Sequence, residues 1–178
     1  MRKVVVYELL SLDGVAERPD AFFTDFDEVM GENLGRVISS QDAVLLGRRT
    51  YDEWAEFWPN SAIEPFASFI NGVQKFVVTS TPLERPWARS SVVGSGLVPF
   101  VVDLKRQPGG DIGVHGSIAL AQSLLDEGLV DELRLVIAPV VRAQGRRLFD
   151  HGSPRRLSLT RSGASPTGYL LVDFQVTN

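Results

Sequence analysis

Cysteine is absent from the 178 residues, which excludes disulfide frameworks, thiolate nucleophiles, zinc knuckles and iron–sulfur centres. Histidine is nearly absent too. The two present, His115 and His151, are accompanied by no ligand-spaced carboxylate motif, so no metal centre is expected. No apolar run approaches the roughly 18 residues of a membrane span, and Glu8 interrupts the first hydrophobic stretch too early for a secretory leader. A cytoplasmic protein with no membrane partner is the expectation. Charge of one sign is missing as well: 18 Lys and Arg against 22 Asp and Glu leave a net charge of -4, which offers no general attraction to a polyanion. The local cluster Arg142, Arg146, Arg147, Arg155 and Arg156 has no interleaved aromatics and contains Asp150, so no nucleic-acid partner is expected. The G-x-G-x-x-G, G-x-x-x-x-G-K-[ST] and G-x-S-x-G signatures are also missing, and Gly94-Ser95-Gly96 is too short to replace any of them.

What is there reads as an ordinary globular protein, with 44% hydrophobic and 22% charged residues. A chain of this length is expected to form a single domain over residues 1–178 and to bury roughly 70% of its extended surface. Val4 to Leu10 reads as a buried strand, and Phe26 to Ile38 as an amphipathic helix with Thr24 and Asp27 as a capping pair. Ala43 to Leu46 is a second strand. It is followed by Gly47 and by a helix in which Thr50 and Glu53 have capping-box spacing. Pro65 introduces a short helix, and Lys75 to Thr79 is a strand stopped before Pro82. Between Glu84 and Gly110 the prolines suggest broken strand-like pieces, Val92-Val93 and Phe100 to Val102. Asp111 to His115 is a strand feeding a helix from Ile118 to Gly128, Leu133 to Ala138 is a strand, and Arg156 to Thr160 with Tyr169 to Val176 forms a terminal hairpin. The expected fold is α/β in three layers, α/β/α, with a mostly parallel central sheet and an antiparallel C-terminal edge. The exposed edge of the hairpin makes a homodimer the expected assembly.

Three segments pass from strand to glycine or hydroxyl at the end where ligands bind in such sheets. Gly47-Arg48-Arg49-Thr50 combines a helix start with two arginines suited to a phosphate, although Thr50 would serve equally as a cap. His115-Gly116-Ser117-Ile118 is a second helix start. It is able to hold a pyrophosphate on its N–H groups or to be a plain turn with a serine cap. Thr79-Ser80-Thr81 offers hydroxyls for a ribose or its phosphate, or for a turn. Among carboxylates, Asp13 beside Gly14 is a catalytic candidate that would orient a substrate or a water for proton delivery, or make an Asp-Gly turn; Asp25 and Asp27 are further catalytic candidates at a helix start, a setting good for an acceptor and poor for an acid unless burial raises the pKa. Phe22, Phe23, Trp54, Phe57 and Trp58 are candidate pocket walls or core.

In family order, the pieces Ser11-Leu12-Asp13-Gly14, Asp42 through Gly47-Arg48-Arg49-Thr50-Tyr51, Lys75 through Thr79-Ser80, Val114-His115-Gly116-Ser117, and Gly128 through Leu133, Ala138-Pro139-Val140 and Gly145-Arg146-Arg147-Leu148-Phe149 cover nearly the whole chain. Together they resemble the dihydrofolate reductase superfamily, in particular the C-terminal reductase domain of the bacterial riboflavin-biosynthesis deaminase/reductase. The resemblance implies NADPH as cofactor, with Gly47, Arg48 and Thr50 at its phosphates, Arg49 at a less constrained position, Thr79 to Thr81 near the ribose phosphate, and the turn before the later helix at the pyrophosphate. It implies hydride transfer to a C=N or C=O group of a small heterocycle of pterin or aminopyrimidine type. Two departures stand out. His115 takes the place of a glycine, which would narrow the cradle, and Ala143 falls in what is commonly a Gly-x-Gly loop, where a left-handed residue is costly and an altered loop is expected. These departures keep a noncatalytic nucleotide-binding module open as the alternative, and a flavin-binding reductase as a third reading.

Overall fold

The computed structural model describes residues 1–177. Short apolar, β-branched segments form a central parallel sheet because helices cover both of its faces, so these strands need no polar alternation. Val4–Ser11 is β1, Gln41–Gly47 is β2, Gln74–Val78 is β3, Ser90–Val93 is β4, Asp111–His115 is β5 and Glu132–Ala138 is β6. The hairpin strands Arg156–Ala164 and Leu170–Thr177 are β7 and β8, and the strand order is β4-β3-β2-β5-β1-β6-β8-β7. All pairs from β4 to β6 are parallel, whereas β8 runs antiparallel to β6 and β7 antiparallel to β8. The three-layer expectation is met.

The helices are α1, Glu28–Ile38; α2, Arg48–Phe57; α3, Phe66–Gly72; α4, Leu97–Arg106; and α5, Ile118–Asp126. One face of the sheet packs Val4, Val6, Leu10, Leu45 and Val114 against Val101 and Leu104 of α4 and Ala121 and Leu124 of α5. The opposite face packs Tyr7, Val44, Leu46 and Val77 against residues of α1, α2 and α3, including Met30, Val37, Tyr51 and Ile70. None of these helices is long and apolar enough to cross a membrane.

Three local expectations are corrected. Helix α1 is capped by Asp27 alone, whose Oδ1 accepts from the Met30 N–H at 3.0 Å, and Phe26 lies outside the helix with half of its surface exposed. Helix α2 starts at Arg48 with Gly47 as its cap, so Thr50 is an interior residue and not a cap paired with Glu53. Phe100 to Val102 belongs to α4. Pro99 falls in that helix's first turn, where a missing N–H costs nothing, so it does not break the helix.

Lys75 is a further surprise in β3. Its side chain is fully buried, Nζ donates to the carbonyls of Ile70 and Val73 at the end of α3, and it lies 4.6 Å from the Trp87 ring centroid. Burial, helped by Arg89, brings its pKa down to about 8.

Candidate functional site

Parallel pairing brings the carboxyl ends of β2, β3 and β5 to one end of the sheet, where α2 and α5 begin side by side. The two helix starts are tied together directly: the Gly47 N–H donates to Ser117 Oγ at 3.0 Å, Ser117 Oγ donates to Thr50 Oγ1 at 3.0 Å, and Thr50 Oγ1 donates to the Gly116 carbonyl at 2.9 Å. Both Thr50 and Ser117 are buried. Their hydroxyls are therefore consumed in joining the turns, and neither caps its own helix. The first-turn N–H groups of α2 and α5 thus have no side-chain cap, and two positive dipole ends lie side by side at this end of the sheet.

The third segment is joined to the α2 start through Arg48. Arg48 Nε bonds both carboxylate oxygens of Asp52 at 2.9 and 2.8 Å, while Nη1 donates to Thr81 Oγ1 at 2.5 Å and to the Pro82 carbonyl at 2.8 Å. Thr79 Oγ1 accepts from the Thr81 N–H at 3.2 Å, and Ser80 is exposed beside them. Arg49 points outward and pairs with Glu53 at 3.2 Å. Gly47, Arg48, Thr50, Thr79, Thr81, Gly116, Ser117 and Ile118 are thus brought together. Trp54 of α2 backs this arrangement. A Cβ on Gly116, whose φ is +59°, would fall 2.8 Å from Trp54 Cζ2.

His115 does not narrow the cradle. Opposite Tyr7 in the register, its ring turns to the α1–α3 face, packs 5.4 Å from Phe66 and 5.9 Å from Phe69 between ring centroids, and meets Gln41 Oε1 through Nε2 at 2.8 Å. Burial holds its pKa down to about 3, so it is neutral at physiological pH.

A residue that sequence reasoning passed over lies on the other face. Alternation along β1 sends Glu8 toward the α4/α5 side with Val6 and Leu10, and only 3% of it is exposed. Burial pushes its pKa up to about 8, opposed by the N–H groups of Ser117 and Gly116. Tyr7 faces His115 in the parallel register of β1 and β5, so Glu8 lies beside the turn that follows β5. The signal was visible in the sequence: one acid in the middle of an apolar strand, Val4-Val5-Val6-Tyr7-Glu8-Leu9-Leu10.

The three candidate aspartates are not assembled into one acid centre. Asp13 accepts from the Arg142 and Ala143 N–H groups at 2.9 Å each, from Ser11 Oγ at 2.7 Å and from Arg147 Nη2 at 3.3 Å. These bonds, that from the Arg142 N–H foremost, hold its pKa well below the ordinary carboxylate value. They also explain how Ala143 adopts φ +61°: the loop keeps the left-handed geometry expected to be lost, because Asp13 binds two successive N–H groups around it. Asp27 caps α1 and accepts from Thr167 Oγ1 at 2.6 Å; partial burial works against ionisation, but the hydrogen bonds bring its pKa to about 2. Asp25 is exposed and accepts from Thr24 Oγ1. Among the candidate wall residues, Trp54 and Trp58 stack edge to face with each other and with Phe66, Phe23 packs between Phe22 and Tyr169, and Phe57 is half exposed.

A mostly parallel sheet with an antiparallel C-terminal edge, flanked by helices and opening paired helix starts at one end, defines a dihydrofolate reductase-like α/β protein. Residues 2–171 match the model of the RibD C-terminal domain, and the chain belongs to that family. It is 28% identical over 163 residues to the protein YyaP of Bacillus subtilis (strain 168), covering 83% of this chain and 80% of that one. The protein YwjB of the same organism is 28% identical over 151 residues, covering 83% of each chain. Among solved structures, a pyrimidine reductase-like protein of Corynebacterium diphtheriae superposes with a TM-score of 0.74 at 15% identity, over 99% of this chain and 92% of the other. A Thermotoga maritima diaminohydroxyphosphoribosylaminopyrimidine deaminase/5-amino-6-(5-phosphoribosylamino)uracil reductase superposes with a TM-score of 0.71 at 15% identity, over 99% of this chain and 57% of that longer one. At such identities the superpositions speak for the fold.

Proposed function

We propose that the protein is an NADPH-dependent reductase acting on a C=N or C=O group of a small heterocycle of pterin or aminopyrimidine type. The observation that carries this reading is the interlock of the α2 and α5 starts, since two uncapped helix N-termini joined by Gly47, Ser117, Thr50 and Gly116 make a site for a di-anion and not for a neutral ligand. Family membership and the pyrimidine reductase-like fold neighbour favour the same chemistry.

The residues fit a dinucleotide phosphate in a definite way. The uncapped first turn of α5 would take the pyrophosphate, and Arg48 with Thr79, Ser80 and Thr81 would take a ribose phosphate at the end of β3. The bound cofactor would supply the hydride, so the protein needs no redox-active side chain. Its own work is to orient the ring of the substrate and to keep water out. Asp13 serves this as a charged anchor of the 142–147 loop. Its ionised carboxylate is an acceptor, which leaves proton delivery to solvent or to a group of the substrate.

Arg48→Ala tests the reading. Removing a charge-assisted contact worth about 1.5–3 kcal/mol should weaken NADPH binding by ten-fold or more while NADH binding changes less. Fluorescence titration with both cofactors measures this, and unchanged affinity for both would remove Arg48 from the cofactor site. If NADPH binds tightly yet no pterin, aminopyrimidine or small carbonyl compound is reduced, the protein is instead a nucleotide-binding module that has lost turnover.

A further inference from the structure

Among the described residues, six buried side-chain polar atoms have no partner within the protein, and three of them belong to one cluster on the α1–α3 face. His115 and Trp58 flank the Phe66 ring at 5.4 and 4.8 Å between centroids, and Gln41 Oε1 meets His115 Nε2 at 2.8 Å. With the amide placed so, the neutral His115 ring carries its proton on Nε2, which leaves Nδ1 a bare acceptor, and Gln41 Nε2 and Trp58 Nε1 bare donors. An exposure of 2% for His115 and 8% for Gln41 keeps both from bulk water. Two features of the sheet aim the amide at this place. A register shift in β2 between Gln41 and Ala43 sets Gln41 opposite Asp111, on the face that Gly113 and His115 share. Gly113 then lets the side chain cross β5, since a Cβ there would fall 2.7 Å from Gln41 Cδ and 2.8 Å from His115 Nε2. A bulge, a glycine inside a central strand and unmet buried polar atoms each work against stability, and departures of this kind gather at functional sites.

We propose that Phe66 occupies the seat of a six-membered lactam ring of the substrate: when the phenyl swings out, the lactam C=O accepts from Gln41 Nε2, its N–H donates to His115 Nδ1, and Trp58 Nε1 donates to a further ring substituent. A phenyl ring has the thickness and outline of a pyrimidinone but satisfies none of the three polar atoms around it. Phe66 is the first residue of α3 and follows residues 61–65, which belong to neither helix nor strand, so its side chain can leave without disturbing the sheet. The seat adjoins the turn assigned above to the cofactor, because Trp54 lies 5.5 Å from Phe66 between centroids and packs on Gly116. The choice of a pyrimidinone rests on the reductase reading; the seat itself rests on Gln41, Gly113, His115 and Trp58. Affinity in the wild-type protein is reduced by the fraction of molecules in which Phe66 fills the seat.

Isocytosine, the pyrimidinone ring common to pterins and aminopyrimidinones, is titrated calorimetrically into wild type and Phe66→Ala, with benzene as a ring of the same size that makes no hydrogen bonds. Phe66→Ala should bind isocytosine ten-fold or more tighter than wild type does, and ten-fold or more tighter than it binds benzene. Equal affinity for the two rings would show a plain apolar hole, and absence of isocytosine binding to the variant would show no seat; either overturns the proposal. Should Phe66→Ala fail to fold, nitrogen NMR of wild type with isocytosine decides, since the chain has only two histidines. The His115 Nδ1 resonance should move to a hydrogen-bonded position while that of exposed His151 stays, and an unmoved His115 signal overturns the proposal. The two readings fail separately. A shifted His115 signal with no NADPH binding sinks the reductase and spares the seat, whereas NADPH-dependent reduction of a pterin that leaves His115 unmoved does the reverse.

Discussion

Two turns leave the same end of the sheet and solve the same problem in opposite ways. After β5, the Gly116–Ser117 turn enters α5 with its outward N–H groups uncapped by any side chain. After β1, the Asp13 carboxylate fills the N–H groups of Arg142 and Ala143, and Arg147 closes the loop by donating to the Asp13 and Ala143 carbonyls. Unmet donors are costly when buried and useful at a cleft. On the proposed reading the open turn is the one that receives an anion, and the filled turn the one that holds shape.

Substitutions in the two turns should separate these roles. The largest effect is expected from Gly116→Ala. A left-handed alanine costs about 1–2 kcal/mol before its contact with Trp54 is counted, so a loss of stability of about 2–4 kcal/mol is expected, with NADPH binding lost by fluorescence titration. Retained affinity in a folded variant would show that the turn geometry is not needed by the ligand. Asp13→Ala should come next. Steady-state turnover should fall by ten-fold or more through the loosened 142–147 loop while NADPH affinity changes less than two-fold, and the reverse pattern would move Asp13 to the cofactor side. Smallest is Ala143→Gly, which relieves the left-handed strain at φ +61° and should raise stability in denaturant unfolding by at most about 1 kcal/mol. A loss there would mean that the alanine methyl makes a contact the loop depends on.

Acidity bears on the same contrast. The folded state raises the Glu8 pKa above its unfolded value, so it holds a proton that the unfolded chain releases first. The stability Glu8 contributes is complete below about 4.5 and is lost as pH rises through about 8. Asp13, with its pKa lowered, has the opposite sign: its contribution is present above the ordinary carboxylate value near 3.8 and is lost as the pH falls through its depressed folded-state pKa.

Much of this was legible in the order of residues. The strands around Val4 to Leu10, Ala43 to Leu46, Asp111 to His115 and Leu133 to Ala138 are short apolar runs bounded by glycine or proline, and each appears within a residue or two of its expected limits. Helix α4 was misread because Pro99 and the run of valines imitate a broken strand, although Leu97, Val101 and Leu104 carry helical spacing. Arg48, Thr50, Gly116 and Ser117 could be placed at strand ends by pattern alone. Their joining could not, since a hydrogen bond between residues some 66 or 67 apart is set by which strands neighbour one another.

Periodicity, glycine placement and composition belong to the chain itself, and they sufficed for the layered α/β architecture and for the segments at the carboxyl end of its parallel strands. Tertiary structure alone decided that the Thr50 and Ser117 hydroxyls are consumed in joining two helices, that His115 turns away from the cleft, that Ala143 is held left-handed by a carboxylate 130 positions away, and that Glu8 lies behind the open turn. The physical reason is common to all four. A polar group's partner and the dielectric around it depend on what the sheet brings near it, and local sequence carries no record of that neighbour.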